Sequence, residues 1–303
     1  MNYYPEDTNH QLNKSFTSME QIKNAINTHE IVEGRVLLCD SEHNLHIDLG
    51  IIRGVIPYSE GALGIKEGTV RDIALISKVN KRVCFIISGL HKKENNEYVA
   101  VLSRRAVQKK CMEEYINTLD EGDIILARIT HLEKFGAFID IGAGINSLIP
   151  IDMLSVSRIS HPRERVTEGS IIHAVLKKRE PEKLTFSLKE LMGTWQENSE
   201  MYSIGETVTG VVRSIESYGI FIELTPNLAG LAEPREDITV GQRVSVYIKS
   251  IIPERMKIKL VIVESFDEIE PYIEPVYFIS EGHIGHWYYS PPNANKTIES
   301  HFD

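Results

Sequence analysis

Two stretches of this 303-residue chain repeat one short run of residues with binding chemistry. Lys134-Phe135-Gly136-Ala137-Phe138 and Ser217-Tyr218-Gly219-Ile220-Phe221 each set two aromatic rings around a glycine. Along a strand residues i and i+2 share a face, and a glycine between the rings permits a bend or bulge, so both rings can reach solvent. Exposed rings beside cations make a platform on which unpaired bases stack, at ~1–3 kcal/mol per base, while the cations follow the phosphates. The competing reading is packing, because small barrels also fill their interiors with such rings.

Other residue types that do chemistry are present without the patterns that chemistry needs. His43-x-x-His46 and His283-x-x-His286 lack a helical His-Glu-x-x-His frame and a nearby cysteine pair, so they read as surface or packing histidines rather than metal ligands. Cys39, Cys84 and Cys111 are odd in number and far apart, which argues against a disulfide framework and for a reducing compartment. No glycine-rich phosphate loop, Gly-x-Ser-x-Gly elbow or Walker lysine occurs. Asp267, Glu268 and Glu270 are clustered carboxylates, but in an acidic tail where solvation explains them. The expectation is a non-enzymatic protein with no cofactor and no metal.

Charge is unevenly placed. The net charge is −10, from 33 basic and 43 acidic residues, but residues 264–303 carry −7 and residues 1–30 carry −2, leaving −1 for residues 31–263. A local basic face matters more to a polyanion than the total. Residues 121–190 hold ten basic and ten acidic residues, with Lys177-Lys178-Arg179 and Arg158, Arg163 and Arg165 as the basic clusters. A composition of 42% hydrophobic and 25% charged residues is that of a globular protein. No apolar run approaches the ~20 residues of a spanning helix, and the start, Met1 to Asp7, lacks a secretory pattern, so a cytoplasmic protein is expected.

The elements that position these residues are repeated. Gly122 to Ile141 lies over Gly205 to Leu224 without a gap, with aromatic-Gly-x-Phe in register. Gly169 to Lys177 lies over Gly241 to Lys249, the third unit having lost about eleven residues from the intervening loop. A fainter copy precedes both, with Val32 to Val36, Ile47 to Gly50 and Glu67-Gly68 as its landmarks. The units span 31–102, 121–190 and 203–263, each a series of β-branched segments broken by Gly, Asn and Asp, which predicts an all-β array of three five-stranded barrels, the first degenerate.

Between them the period changes. Ser103 caps a predicted helix over 103–120 with Val107, Cys111, Tyr115 and Leu119 on one face. Leu188, Leu191, Met192, Trp195 and Met201 show similar spacing, predicting a second linker helix over 191–202 in which Trp195 is an anchor. Residues 1–30 read as an arm or short helix. Residues 264–303 mix acids with Tyr272, Tyr277, Phe278, Trp287, Tyr288 and Tyr289, too aromatic for a plain solvating tail. Such a segment docks on the third barrel or binds a partner, and an acidic tail can compete with a polyanion for a basic barrel face.

Gly-x-x-x-x-Gly-x-Val, aromatic-Gly-x-Phe-Ile-Glu/Asp, a Gly-Leu step, Gly-x-x-Val-x-Val-x-Ile-Lys and a basic residue before the last strand together resemble the S-one RNA-binding domain, the oligonucleotide-binding-fold (OB-fold) repeat of a small-subunit ribosomal protein. Leu188-Lys189-Glu190-Leu191-x-x-Thr194-Trp195-x-Glu197-Asn198 is similar to the corresponding linker in its relatives from low-GC Gram-positive bacteria. The resemblance implies that Phe135, Phe138, Tyr218 and Phe221 contact RNA and that Lys183 and Lys257 are the basic residues opening the last strands. With neighbouring cations, the expected RNA-binding set adds Lys134, Lys177, Lys178, Arg213 and Lys249. It implies single-stranded RNA and the small ribosomal subunit as partners, in translation. In the first unit His43 and His46 fall at the ring positions, and that barrel is expected to serve protein contacts. The alternative left open is a scaffold of OB-type barrels that has largely lost RNA binding.

Overall fold

The computed structural model describes residues 3–302 apart from 95, 182 and 270–273; Met1, Asn2, Glu182, Glu270 and Tyr272, all used in the sequence reading, lie outside the described residues. Three closed five-stranded barrels follow one another, as the repeats predict.

The chain divides into two compact units, residues 1–119 with 140–146, and residues 120–139 with 147–303. In the first unit, α1 (Met19–Thr28) is capped by Ser18, whose side chain accepts the Gln21 N–H. The first barrel comprises β1 (Val32–Cys39), β2 (Leu45–Asp48), β3 (Arg53–Ile56), β4 (Arg82–Lys92) and β5 (Tyr98–Ser103) in the order β1-β2-β3-β5-β4, with a short α2 (Ile73–Ile76) in the connection to β4. Its core joins Val36, Ile47, Ile56, Phe85 and Leu102 to Ile22 and Ala25 of α1, so the amphipathic N-terminal helix is part of the fold. Ser103 ends β5 and caps α3 (Arg104–Glu114), its hydroxyl accepting the Ala106 N–H at 3.0 Å, and Val107 and Cys111 of the apolar stripe are buried.

The second barrel runs β6 (Ile124–Glu133), β7 (Gly136–Asp140), β8 (Asn146–Pro150), β9 (Ile171–Glu180) and β10 (Lys183–Ser187) in the order β10-β8-β7-β6-β9. Alternation along its strands buries Ile125, Ala127 and Ile129 on β6 and Ala137 and Ile139 on β7. The third runs β11 (Thr207–Glu216), β12 (Gly219–Thr225), β13 (Leu228–Ala232), β14 (Gln242–Ile252) and β15 (Lys257–Ile269) in the order β11-β12-β13-β15-β14. The two linkers differ. The second is broken into a 3₁₀ turn at Lys189–Leu191 and α4 (Trp195–Ser199), not one helix. Gly193 between them has φ +77°, which a helix interior does not accommodate, and Thr194 starts α4 afresh with a capping box to Glu197. Trp195 is buried in the core of the third barrel.

The C-terminal segment forms β16 (His286–Tyr288) and β17 (Glu299–His301), an antiparallel pair. Ile284, Trp287, Tyr289 and Phe302 enter the same core cluster as Ile222, Val246 and Leu260. The segment therefore contributes to the body of the second unit. Among the described residues no helix is long and apolar enough to cross a membrane.

Candidate nucleic-acid interface

The aromatic motif sits at one topological place in two barrels. Lys134-Phe135 is the turn between β6 and β7, and Ser217-Tyr218 is the turn between β11 and β12, so the first ring of each pair rides on a hairpin tip. Phe135 and Tyr218 are 56% and 66% exposed, while Phe138 and Phe221 are half-buried on the following strands. The rings of each pair meet edge to face, with centroids 5.9 Å apart for Phe135 and Phe138 and 6.1 Å apart for Tyr218 and Phe221. Neither pair fills a barrel interior.

The glycine between the rings is fixed by close approach of the neighbouring strand. A Cβ on Gly136 would lie 2.4 Å from the Ile149 carbonyl oxygen, and one on Gly219 would lie 2.7 Å from that of Ala232. The irregular register of β11 on β12 falls elsewhere, between Val212 and Ser214. The glycine thus lets two strands meet beneath the rings, and in the third barrel the register irregularity lies away from Gly219.

One ring partner escaped the sequence reading. His131, on β6, stacks on Phe138 with centroids 6.4 Å apart and an interplanar angle of 22°. Its ring nitrogens meet Glu133 at 3.0 Å and Glu168 at 2.9 Å, and these bonds, Glu133 first, raise its pKa above that of an ordinary histidine. Alternation gave no signal for it, since His131 has the parity of the buried Ile125, Ala127 and Ile129 and is nevertheless exposed.

The expected cations are placed unequally. Lys134, Lys183 and Lys249 are exposed and Lys257 is half-buried at the start of β15. Lys178 is exposed but bonds Glu180 at 2.8 Å. Lys177 lies 3.5 Å from the buried Glu190 carboxylate and over the Phe302 ring at 4.4 Å. Lys177 and Lys178 are on β9, which β6 separates from the ring-bearing β7, while Lys183 opens β10. Arg213 is not on an open face. Its side chain is 6% exposed, with Nε on Glu223 at 2.8 Å and Nη1 on Glu164 at 2.6 Å.

Arg165, one of the residues in the basic cluster, is fully buried in the same network, pairing with Glu223 and donating to Ser155 Oγ at 2.9 Å. Burial lowers the Arg165 pKa against the pull of Glu223. Arg158 and Arg163 of that cluster remain exposed. Glu223 occupies the position of Asp140 in the repeat. Within the first unit Asp140 accepts the backbone N–H groups of Glu6 at 2.8 Å, Gly142 at 2.9 Å and Gly144 at 3.0 Å. The acid that follows the aromatic motif therefore serves structure in both copies.

The first barrel carries a different surface at the same place. His43 lies against Tyr58 with ring centroids 6.0 Å apart, and His46 is held by Asp40 at 2.8 Å. Tyr58 donates its hydroxyl to Asp72 at 2.7 Å. Its rings face carboxylates, the opposite of what phosphates require.

Residues 118–189 match the S1 RNA binding domain family. The chain is 28% identical over 261 residues to the small ribosomal subunit protein bS1 of Staphylococcus aureus strain N315, covering 80% of this chain and 64% of that protein. It is likewise 28% identical over 259 residues to the small ribosomal subunit protein bS1 homolog of Bacillus subtilis, with 80% and 65% covered. The chain thus spans about two thirds of the length of these relatives. A multidomain protein with nucleic acid binding domains from Streptococcus pneumoniae aligns over 80% of this chain and 76% of its own at 12% identity, with a TM-score of 0.26. The second barrel thus matches the S1 RNA binding domain family, and four fifths of the chain is similar to the bS1 proteins of Staphylococcus aureus and Bacillus subtilis.

Proposed function

We propose that the chain binds single-stranded RNA on the second and third barrels and acts, without catalysis, in translation in the cytoplasm beside the small ribosomal subunit. The observation that carries this reading is the edge-to-face ring pair, one ring exposed and one half-buried, repeated at the same hairpin of two barrels. Bases stack on Phe135 and Phe138 and on Tyr218 and Phe221, while Lys134, Lys183, Lys249 and Lys257 serve phosphates. Each base offers the same π-face, so selectivity for sequence is modest and duplex, whose bases are already stacked, is excluded. Similarity to bS1 proteins supports the ribosomal setting.

The test is fluorescence anisotropy with labelled single-stranded RNA, a duplex of equal length and single-stranded DNA, at about 50 and 200 mM salt. Micromolar or tighter binding to the single strand, weakening with salt and absent on duplex, is expected. Absence of binding at the lower salt would overturn it and favour the scaffold reading, which the engagement of Lys177, Lys178 and Arg213 by carboxylates supports.

A further inference from the structure

The β16–β17 pair has three residues per strand, too short to be stable by itself. Its two faces differ in chemistry. Trp287 and Ser300, opposite one another, are buried, and Ser300 Oγ bonds the buried Glu190 at 2.7 Å. By alternation the other face carries His286, Tyr288, Glu299 and His301.

On that face two imidazoles and one carboxylate converge. His286 and His301 are register partners with ring centroids 3.7 Å apart. Glu299 places Oε2 3.1 Å from His286 Nε2 and Oε1 3.5 Å from His301 Nε2. One ligand atom from each of the three lies within 4.8 Å of the others. Ligands around a tetrahedral zinc ion with bonds of about 2.0–2.1 Å stand roughly 3.3 Å apart, so the two Glu–His distances already have that spacing and the donors are of the type such an ion selects. The sequence hid this arrangement. His283, the apparent motif partner of His286, instead bonds Asp123 at 2.8 Å, and His301 reaches the site only through strand pairing across the loop from residue 289 to 298.

We propose that His286, Glu299 and His301 bind a divalent transition-metal ion of zinc type, which staples β16 to β17 and keeps the C-terminal segment docked. Three protein ligands leave a fourth position for water. A staple here acts on the hydrophobic contacts of Trp287, Tyr289 and Phe302 with the third barrel, because those side chains lie on and just beyond the same strands.

The full chain, stripped of metal with a chelator, is titrated with Zn²⁺ against a chromophoric competitor, with Mg²⁺ as the oxygen-preferring control. One zinc ion per chain and a rise in thermal midpoint are expected, with no rise from Mg²⁺. Glu299→Gln and His301→Ala weaken zinc by more than the roughly 10–100-fold that loss of an outer-shell partner costs. His283→Ala, outside the proposed set, leaves it unchanged. His301 is 55% exposed, so equal metal-free melting of His301→Ala and wild type separates ligand loss from unfolding. Undiminished zinc affinity in Glu299→Gln and His301→Ala, or no one-to-one binding below roughly 100 μM zinc, would overturn the proposal.

Discussion

A single ring decides between stacking and packing. Phe138 lies half-buried between Phe135, which it meets edge to face, and His131, which stacks on it. Phe138→Ala is expected to weaken single-stranded RNA binding by about 1–3 kcal/mol with little change in melting; unchanged affinity in a folded variant would remove the ring from the binding surface. Gly136→Ala has the opposite profile. Its new methyl meets the Ile149 carbonyl oxygen at 2.4 Å, so a loss of stability of about 1–3 kcal/mol is expected in denaturant unfolding. Glu33 supplies a pH-dependent residue effect. It is buried, Oε2 has no hydrogen-bond partner, and burial raises its pKa from 4.5 to about 7. A carboxyl raised on folding stabilises fully below its unfolded value, and that contribution is lost as pH rises through the folded value. The first unit should therefore lose part of its thermal midpoint between about pH 5 and pH 8, and Glu33→Gln should flatten that slope; equal slopes would show that another group sets it.

Elements explain why the repeat contains residues that serve structure. The acid after the aromatic motif is buried in both copies, as Asp140 and Glu223, while the ring two positions earlier on the same strand face is only half-buried. Arg213 was expected among the RNA contacts as a neighbouring cation, yet it ties β11 to Glu223 on β12 and to Glu164 of the loop before β9. Removing one partner of a buried ion pair leaves an uncompensated charge, so Arg213→Ala should cost about 3–5 kcal/mol of stability in the second unit. Its effect on RNA affinity, measured where the protein is folded, should be smaller than that of Lys183→Ala, which should reduce the salt slope by about 1. The linkers follow their own local chemistry. Ser103 and Thr194 start helices as their sequence context directs, and Gly193 stops the second one from being continuous.

For the whole molecule, net charge was a poor guide to the acidic end. That segment was expected to dock on the third barrel or to bind a partner, and competition with RNA for a basic barrel face was the further expectation, under which deletion of residues 264–303 raises RNA affinity at low salt. The structure places Trp287, Tyr289 and Phe302 in the third-barrel core and runs β15 to Ile269, so this deletion removes core and half a strand's partners. The expected outcome is a lower melting temperature of the second unit, visible by circular dichroism. A variant that neutralises exposed acids of the segment, such as Glu281→Gln, tests competition without touching the core.

Three barrels and two ring pairs were legible in the sequence because strand alternation and an in-register repeat are local, one-dimensional signals. Gly136 and Gly219 were legible for the same reason, although their cause, a carbonyl on the next strand, was not. Burial of Arg165 and Arg213, stacking of His131 on Phe138, docking of the C-terminal segment and the convergence of His286, Glu299 and His301 were decided only by tertiary structure. Each depends on which side chains from distant segments meet and on the desolvation that follows, and neither spacing along the chain nor summed charge contains that information.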